Sequence, residues 1–228
     1  MIDHVRDLAS VREATERLLT AAGALDNAAL AAPSRLPGWS RGHVLAHLAR
    51  NADALVNVLE GRPMYEDAAS RESDIERDAS RALDVQLADV RNTAERFQHS
   101  AAVPADWFRV VVLRNGVTDV AARLPFRRLI EMELHHVDLG LDRELEDLSE
   151  EFTAREIDFL TERFSGNAEV PPLTLKASDG RTWRTGRTEG IPQPVTGPAA
   201  DLMGWLAGRR DGAALEFPGG SLPVLPPL

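Results

Sequence analysis

Residues 125–140 read PFRRLIEMELHHVDLG, and this stretch decides the fold. Pro125 suits the first turn of a helix, because its fixed φ is already helical and its missing N–H is one that no helix start uses. Gly140 is the residue type that ends a helix in the left-handed conformation. Between them, Glu131 and His135 are four apart, so a helix puts both side chains on one face. The second informative stretch is GWSRGHVLAHLARNADAL, residues 38–55. Ser40 is a good N-cap for a helix there, and the pattern runs out near Gly61 and Pro63. Val44, Leu48, Leu55 and Leu59 form its apolar stripe, and His47 lies on the same helix.

The rest of the first 140 residues follows the same logic. Val5, Leu8, Val11, Leu18 and Leu19 give residues 2–25 a broad apolar helical face. Residues 26–38 hold Pro33 and Pro37 and read as a connection. In the polar segment 66–100, Ile75, Leu83, Leu87, Val90 and Phe97 recur at helical intervals, which predicts one long or broken helix. FRVVVLRNGVTDVAAR, residues 108–123, predicts a β-hairpin turning at Asn115-Gly116. The first part is therefore mostly a four-helix arrangement with one hairpin.

The chain then changes character. Ser149, with Glu150 and Glu151 behind it, opens a helix running to about Phe164. PPLTLKASDGRTWRTG, residues 171–186, reads as a hairpin turning at Asp179-Gly180. GPAADLMGWLAGRRDG, residues 197–212, reads as a helix closed by Gly208, ALEF as a short strand, and PGGSLPVLPPL as an irregular end. The fold class expected is α+β. A helical bundle over residues 1–145 precedes a small α+β domain over 146–228, with the boundary inside 141–149.

Helical bundles can build metal sites from inward-facing side chains on facing helices. Two imidazoles and a carboxylate can hold Zn²⁺ with the fourth position open, the arrangement of a catalytic zinc. His47, Glu131 and His135 are the candidate ligands. His43, four before His47, and Asp138, three after His135, are candidate outer partners that orient a ligating ring. Histidines at helical spacing are also often only packed or solvated, and His135 and His136, being adjacent, cannot both face one way. No P-loop, Gly-x-Ser-x-Gly elbow or Gly-x-Gly-x-x-Gly fingerprint is present.

Composition removes other classes. The net charge of -10 argues against nucleic-acid and anionic-membrane partners. An anionic substrate would need a local basic pocket working against that field. The chain contains no cysteine. Disulfides and cysteine-ligated metal are excluded, and any thiol chemistry needs a thiol from outside. The N-terminus has no apolar core of a signal peptide and no run reaches membrane length, which points to a cytoplasmic protein.

Three segments resemble the mycothiol-dependent maleylpyruvate isomerase family, within the DinB-like metalloenzyme superfamily. The first is Pro37-Gly38-Trp39-Ser40 with His43 and His47. The second is Glu131, His135 and Val137-Asp138-Leu139-Gly140. The third, weaker one is Leu206-Ala207-Gly208-Arg209. The resemblance implies a DinB-like four-helix bundle followed by the small α+β domain. It also implies His47, Glu131 and His135 as zinc ligands, the low-molecular-weight thiol mycothiol as cofactor, and Arg209 as the arginine that contacts cofactor and anionic substrate. The reaction implied is conversion of maleylpyruvate to fumarylpyruvate by thiol addition, bond rotation and elimination, as in gentisate-type aromatic degradation. A zinc-dependent mycothiol S-transferase and a metal-binding bundle without catalysis are the alternatives. The oligomeric state stays open, a monomer included, as does the choice between Arg209 and Arg210.

Overall fold

The computed structural model describes residues 2–103 and 106–227. The chain divides into two compact units, Met1–Arg143 and Glu144–Leu228. The first is a helical bundle. Its helices are α1 (His4–Ala22), α2 (Asn27–Ala31), α3 (Arg41–Leu59), α4 (Ala68–Ala79), α5 (Leu83–Ala102) and, after the strand pair β1 (Val110–Val112) and β2 (Thr118–Val120), α6 (Leu124–Asp138). α3 packs against α5, α4 and α6, while α1 packs against α6 and α5. The long polar segment is a broken helix. α4 stops at Ser80, and α5 restarts after Ala82 without a side-chain cap.

The apolar positions show why these helices associate. Val11 and Leu18 of α1, Val44, Leu48 and Leu55 of α3, Val90 and Phe97 of α5, and Leu129 and Met132 of α6 are buried together. Val5 departs from the expected face: it is 67% exposed, while Asp7 of the same turn is buried. The stretch 26–38 also holds more structure than two prolines suggest. Asp26 caps the short α2 by accepting from Ala29 N at 2.7 Å.

Two devices fix the ends of the two helices that carry the candidate ligands. Ser40 caps α3 by accepting from the His43 backbone N–H, and the His43 ring returns a bond to the Ser40 N–H. α6 begins with Pro125 in its first turn and is followed by Gly140 at φ 64°. Arg41, at the start of α3, then clamps the end of α6. Its Nε donates to Leu139 O at 2.7 Å and its Nη2 to Gly140 O at 3.2 Å, while Nη1 reaches Ala29 O at 2.9 Å. The last carbonyls of a helix have no internal partner, so a guanidinium there both satisfies them and matches the dipole.

The second unit holds α7 (Glu150–Phe164), β3 (Leu173–Ala177), β4 (Thr182–Thr185), β5 (Gln193–Gly197) and α8 (Ala199–Leu206). Ser149 caps α7 by accepting from Phe152 N at 3.2 Å. β3 and β4 form an antiparallel hairpin around Asp179-Gly180, and the sheet order is β4-β3-β5 with β5 parallel to β3. The strand expected at ALEF is a correction. Glu216 makes one isolated bridge to Thr196, and the third strand is β5 instead. Pro194 hides β5 from sequence reading, since proline is tolerated only where no ladder N–H is required, and β5 is an edge. Among the described residues, no helix is long and apolar enough to cross a membrane.

Gly42 lets the end of α4 come close to the start of α3. A Cβ there would stand 2.2 Å from the Ala79 carbonyl oxygen at the end of α4. Gly42→Ala gains about 1 kcal/mol of helix propensity. Overpacking against a backbone atom costs about 1–3 kcal/mol, and a carbonyl at this separation cannot yield cheaply. The overpacking wins, so thermal unfolding of Gly42→Ala is expected some 2–8 °C below the unaltered protein. An unchanged or raised Tm would show that α4 is not held against α3 at this point.

Candidate metal centre

α3 and α6 bring His47, Glu131 and His135 together. Their ligand atoms all lie within 4.8 Å of one another. The Nε2 atoms of both histidines point at a single oxygen, Glu131 Oε2, at 2.9 Å from His47 and 3.1 Å from His135. The two rings meet edge to face with centroids 4.6 Å apart. Both imidazoles are buried, and the Glu131 side chain is 31% exposed, so the carboxylate forms the open side of the cluster.

Each group has a partner that sets its protonation. His135 Nδ1 donates to Asp138 Oδ2 at 2.8 Å. That bond fixes the ring's orientation and directs Nε2 inward, as outer carboxylates do for metal-binding imidazoles. Burial alone would lower the His135 pKa, but Asp138 and Glu131 outweigh it and hold the imidazole above its ordinary value. For His47, burial wins and lowers the imidazole to about 4, against the pull of Glu131. Neutral His47 carries its proton on Nε2 and accepts at Nδ1 from Arg71 Nη2, 3.2 Å away. Burial opposes ionisation of Glu131, yet the bonds from His135 and His47 hold its carboxyl well below the usual carboxylate range.

The donor set fits a divalent cation. Two imidazole nitrogens and a carboxylate oxygen converge on one point, one ring is braced from outside, and the side at Glu131 is open, which suits Zn²⁺ bound by three protein ligands. A half-buried ring, Trp39, shields the cluster, with its centroid 5.5 Å from that of His47 and 6.2 Å from that of His43.

Other residues singled out from the sequence are placed differently. His43 is not an outer partner of His47. Its Nδ1 bonds Ser40 and its Nε2 lies 3.1 Å from Glu76 Oε2, so it serves the start of α3. The i, i+4 spacing is compatible with a role at the cluster, but the cap takes Nδ1 and Glu76 of α4 takes Nε2. Arg209 lies in the second unit, just past α8, where Nη1 donates to Ala207 O at 2.8 Å. The guanidinium of Arg210 is held by Asp201 and Glu146. In the bundle, Arg41 is spent on helix carbonyls and Arg50 on Asp53, Asp78 and Asp89. An arginine that the sequence reading did not single out, Arg71 on α4, touches the cluster at His47 Nδ1. No motif marked it. Its only sequence signal is its place one turn inside a helix capped by Asp67, whose carboxylate accepts from Ser70 N at 2.7 Å.

Comparison with known proteins follows the same lines. The profile of the mycothiol maleylpyruvate isomerase N-terminal domain matches residues 11–140, more than half of the chain. The chain belongs to this family. The family's C-terminal domain profile matches residues 147–227. Two solved structures share the fold: a mycothiol-dependent maleylpyruvate isomerase and a histidine-to-alanine variant of that enzyme. Each is 22% identical, with a TM-score of 0.89, over 99% of this chain and 97% of that chain. A search of curated proteins gives no match.

Within the isomerase family fold, the cluster predicts how metal is lost. His47→Ala, Glu131→Ala and His135→Ala should each abolish stoichiometric metal, read by elemental analysis of the dialysed protein. Asp138→Asn should bind metal about 10–100-fold more weakly, because the braced ring is released. His43→Ala should keep its metal and lose about 0.5–2 kcal/mol of stability with the cap. Metal retained in all three ligand variants would remove the assignment.

Proposed function

We propose that this chain is an enzyme, a mycothiol-dependent maleylpyruvate isomerase that converts maleylpyruvate to fumarylpyruvate in gentisate-type aromatic degradation. Zn²⁺ held by His47, Glu131 and His135 is the proposed metal. The observation that carries the reading is the convergence of two imidazole nitrogens on Glu131 Oε2, in a chain of this family that contains no cysteine of its own.

Metal and external thiol together supply a thiolate, a nucleophile that can add reversibly to a conjugated cis-alkene and free its central bond to rotate. The chain's own residues do the rest. Asp138 fixes the ring of His135, and Arg71 lies against the ring of His47, so neither imidazole must reorganise during turnover. Pre-set groups of this kind lower the barrier because they cost no rearrangement when charge develops. The substrate is a dianion in a protein of net charge -10, so cations must be placed locally. Arg71 brings one to the bundle itself. Among the described residues it forms no ion pair with a carboxylate and lies with its guanidinium carbon 5.9 Å from the Tyr65 ring centroid. Arg209 is the second proposed anion contact, with a planar fork suited to a carboxylate.

The test is turnover of maleylpyruvate followed through formation of the trans product. Activity should be absent without added thiol and appear with catalytic mycothiol. Turnover by the thiol-free enzyme would refute the reading, and consumption of one thiol per product would replace isomerase with S-transferase. Arg209→Ala should keep its metal and lose about 2–4 kcal/mol of transition-state stabilisation, roughly thirty- to thousand-fold in rate. Arg209→Lys should recover only part, since the fork is lost. Near-normal kinetics in Arg209→Ala would confine that residue to a structural role.

A further inference from the structure

The segment following α3 and the β1–β2 hairpin line a half-open cavity of about 580 Å³. Val58, Met64 and Leu113 give it apolar walls. Its charge is unlike that of the protein as a whole. Among the described residues, three arginines line it, Arg62, Arg109 and Arg114, against one acidic residue, Asp67. Asp67 is spent on capping α4, and Arg62 pairs with Glu60. Among the described residues, Arg109 donates only to backbone oxygens, those of Val58 and Leu59 at the end of α3 and of Asp106. The Arg114 side chain forms no hydrogen bond or ion pair with any described residue. Two guanidinium groups without a carboxylate therefore face one small, partly apolar space.

Tyr65 connects this space to the metal centre. It lines the cavity, Arg71 lies against its ring, and Arg71 in turn touches His47. Burial is the largest influence on the phenol and raises its pKa, with Arg71 and Arg114 pulling against it, so the hydroxyl stays protonated and can donate.

We propose that this cavity seats a carboxylate of the electrophile, with Arg114 and Arg109 as its counter-charges and the Tyr65 hydroxyl as a donor. The substrate class is then a conjugated carboxylic acid whose alkene lies toward His47, Glu131 and His135 while its acid end is held under the hairpin. The inference rests on the isomerase reading for the electrophile, and it divides the dianion between two cationic places. The apolar walls select carbon next to the acid group, and the paired arginines select its charge.

Tyr65 is the only tyrosine in the chain, so 3-fluorotyrosine labelling of the full-length protein gives a single ¹⁹F resonance at the cavity wall. Maleate, added without thiol, should shift that resonance saturably, and the uncharged dimethyl maleate should not. Arg114→Gln should weaken maleate binding by about tenfold or more, and Arg114→Lys should weaken it less. Unchanged metal content in the two variants shows that the fold is kept. Maleate held at the metal alone would bind equally in Arg114→Gln, and that result overturns the proposal, as does an unshifted resonance or an equal response to the ester. The two readings fail separately: maleate bound through Arg114 with no thiol-dependent turnover sinks the isomerase reading, whereas turnover with a silent Tyr65 sinks this one.

Discussion

One carboxylate oxygen shared by two imidazoles organises the helical unit. Glu131 Oε2 takes hydrogen bonds from His47 on α3 and His135 on α6, and the protein around it serves to make that tolerable. An ionised carboxylate taken from water costs several kcal/mol unless it is paired and hydrogen-bonded. Here both rings donate to it, and it keeps one side toward solvent. The same geometry that relieves the charge places three ligand atoms where a cation can replace the shared protons.

Holding two helices in that register needs more than the cluster. Arg41 ties the start of α3 to the last carbonyls of α6, Ser40 and His43 close the start of α3, and Gly42 lets α4 come near enough to bring Arg71 to His47. Helix ends are where unsatisfied backbone groups gather, so bonds made there fix position as well as stability. Asp138 extends the arrangement outward by bracing His135 from a position almost fully buried.

Periodicity and punctuation made much of this legible in the sequence. Glu131 and His135 share a face because any helix makes residues four apart neighbours, and Pro125 and Gly140 mark that helix's limits. Ser40, Ser149 and Asp179-Gly180 do the same for α3, α7 and the second hairpin. What stayed hidden depends on tertiary placement. Arg71 sits in a polar segment that reads as a solvated face, and only the fold of α4 onto α3 turns it toward His47. Tyr65 and Arg114, in turns flanking that region, carry no spacing signal at all. His43 had the right spacing for the cluster and the wrong surroundings, because a helix start competes for the same ring. β5 was masked by Pro194, since a parallel edge strand shows neither alternation nor a turn.

The central claim is that the cluster binds zinc and that the zinc takes up a thiol the chain cannot provide. X-ray absorption at the zinc K-edge tests it most directly, because with no cysteine in the sequence any zinc–thiolate bond must come from added thiol. The account predicts only nitrogen and oxygen neighbours at about 2.0–2.2 Å in the thiol-free protein, and one sulfur at about 2.3 Å once mycothiol is added. A nitrogen and oxygen shell that remains sulfur-free at saturating mycothiol would contradict it.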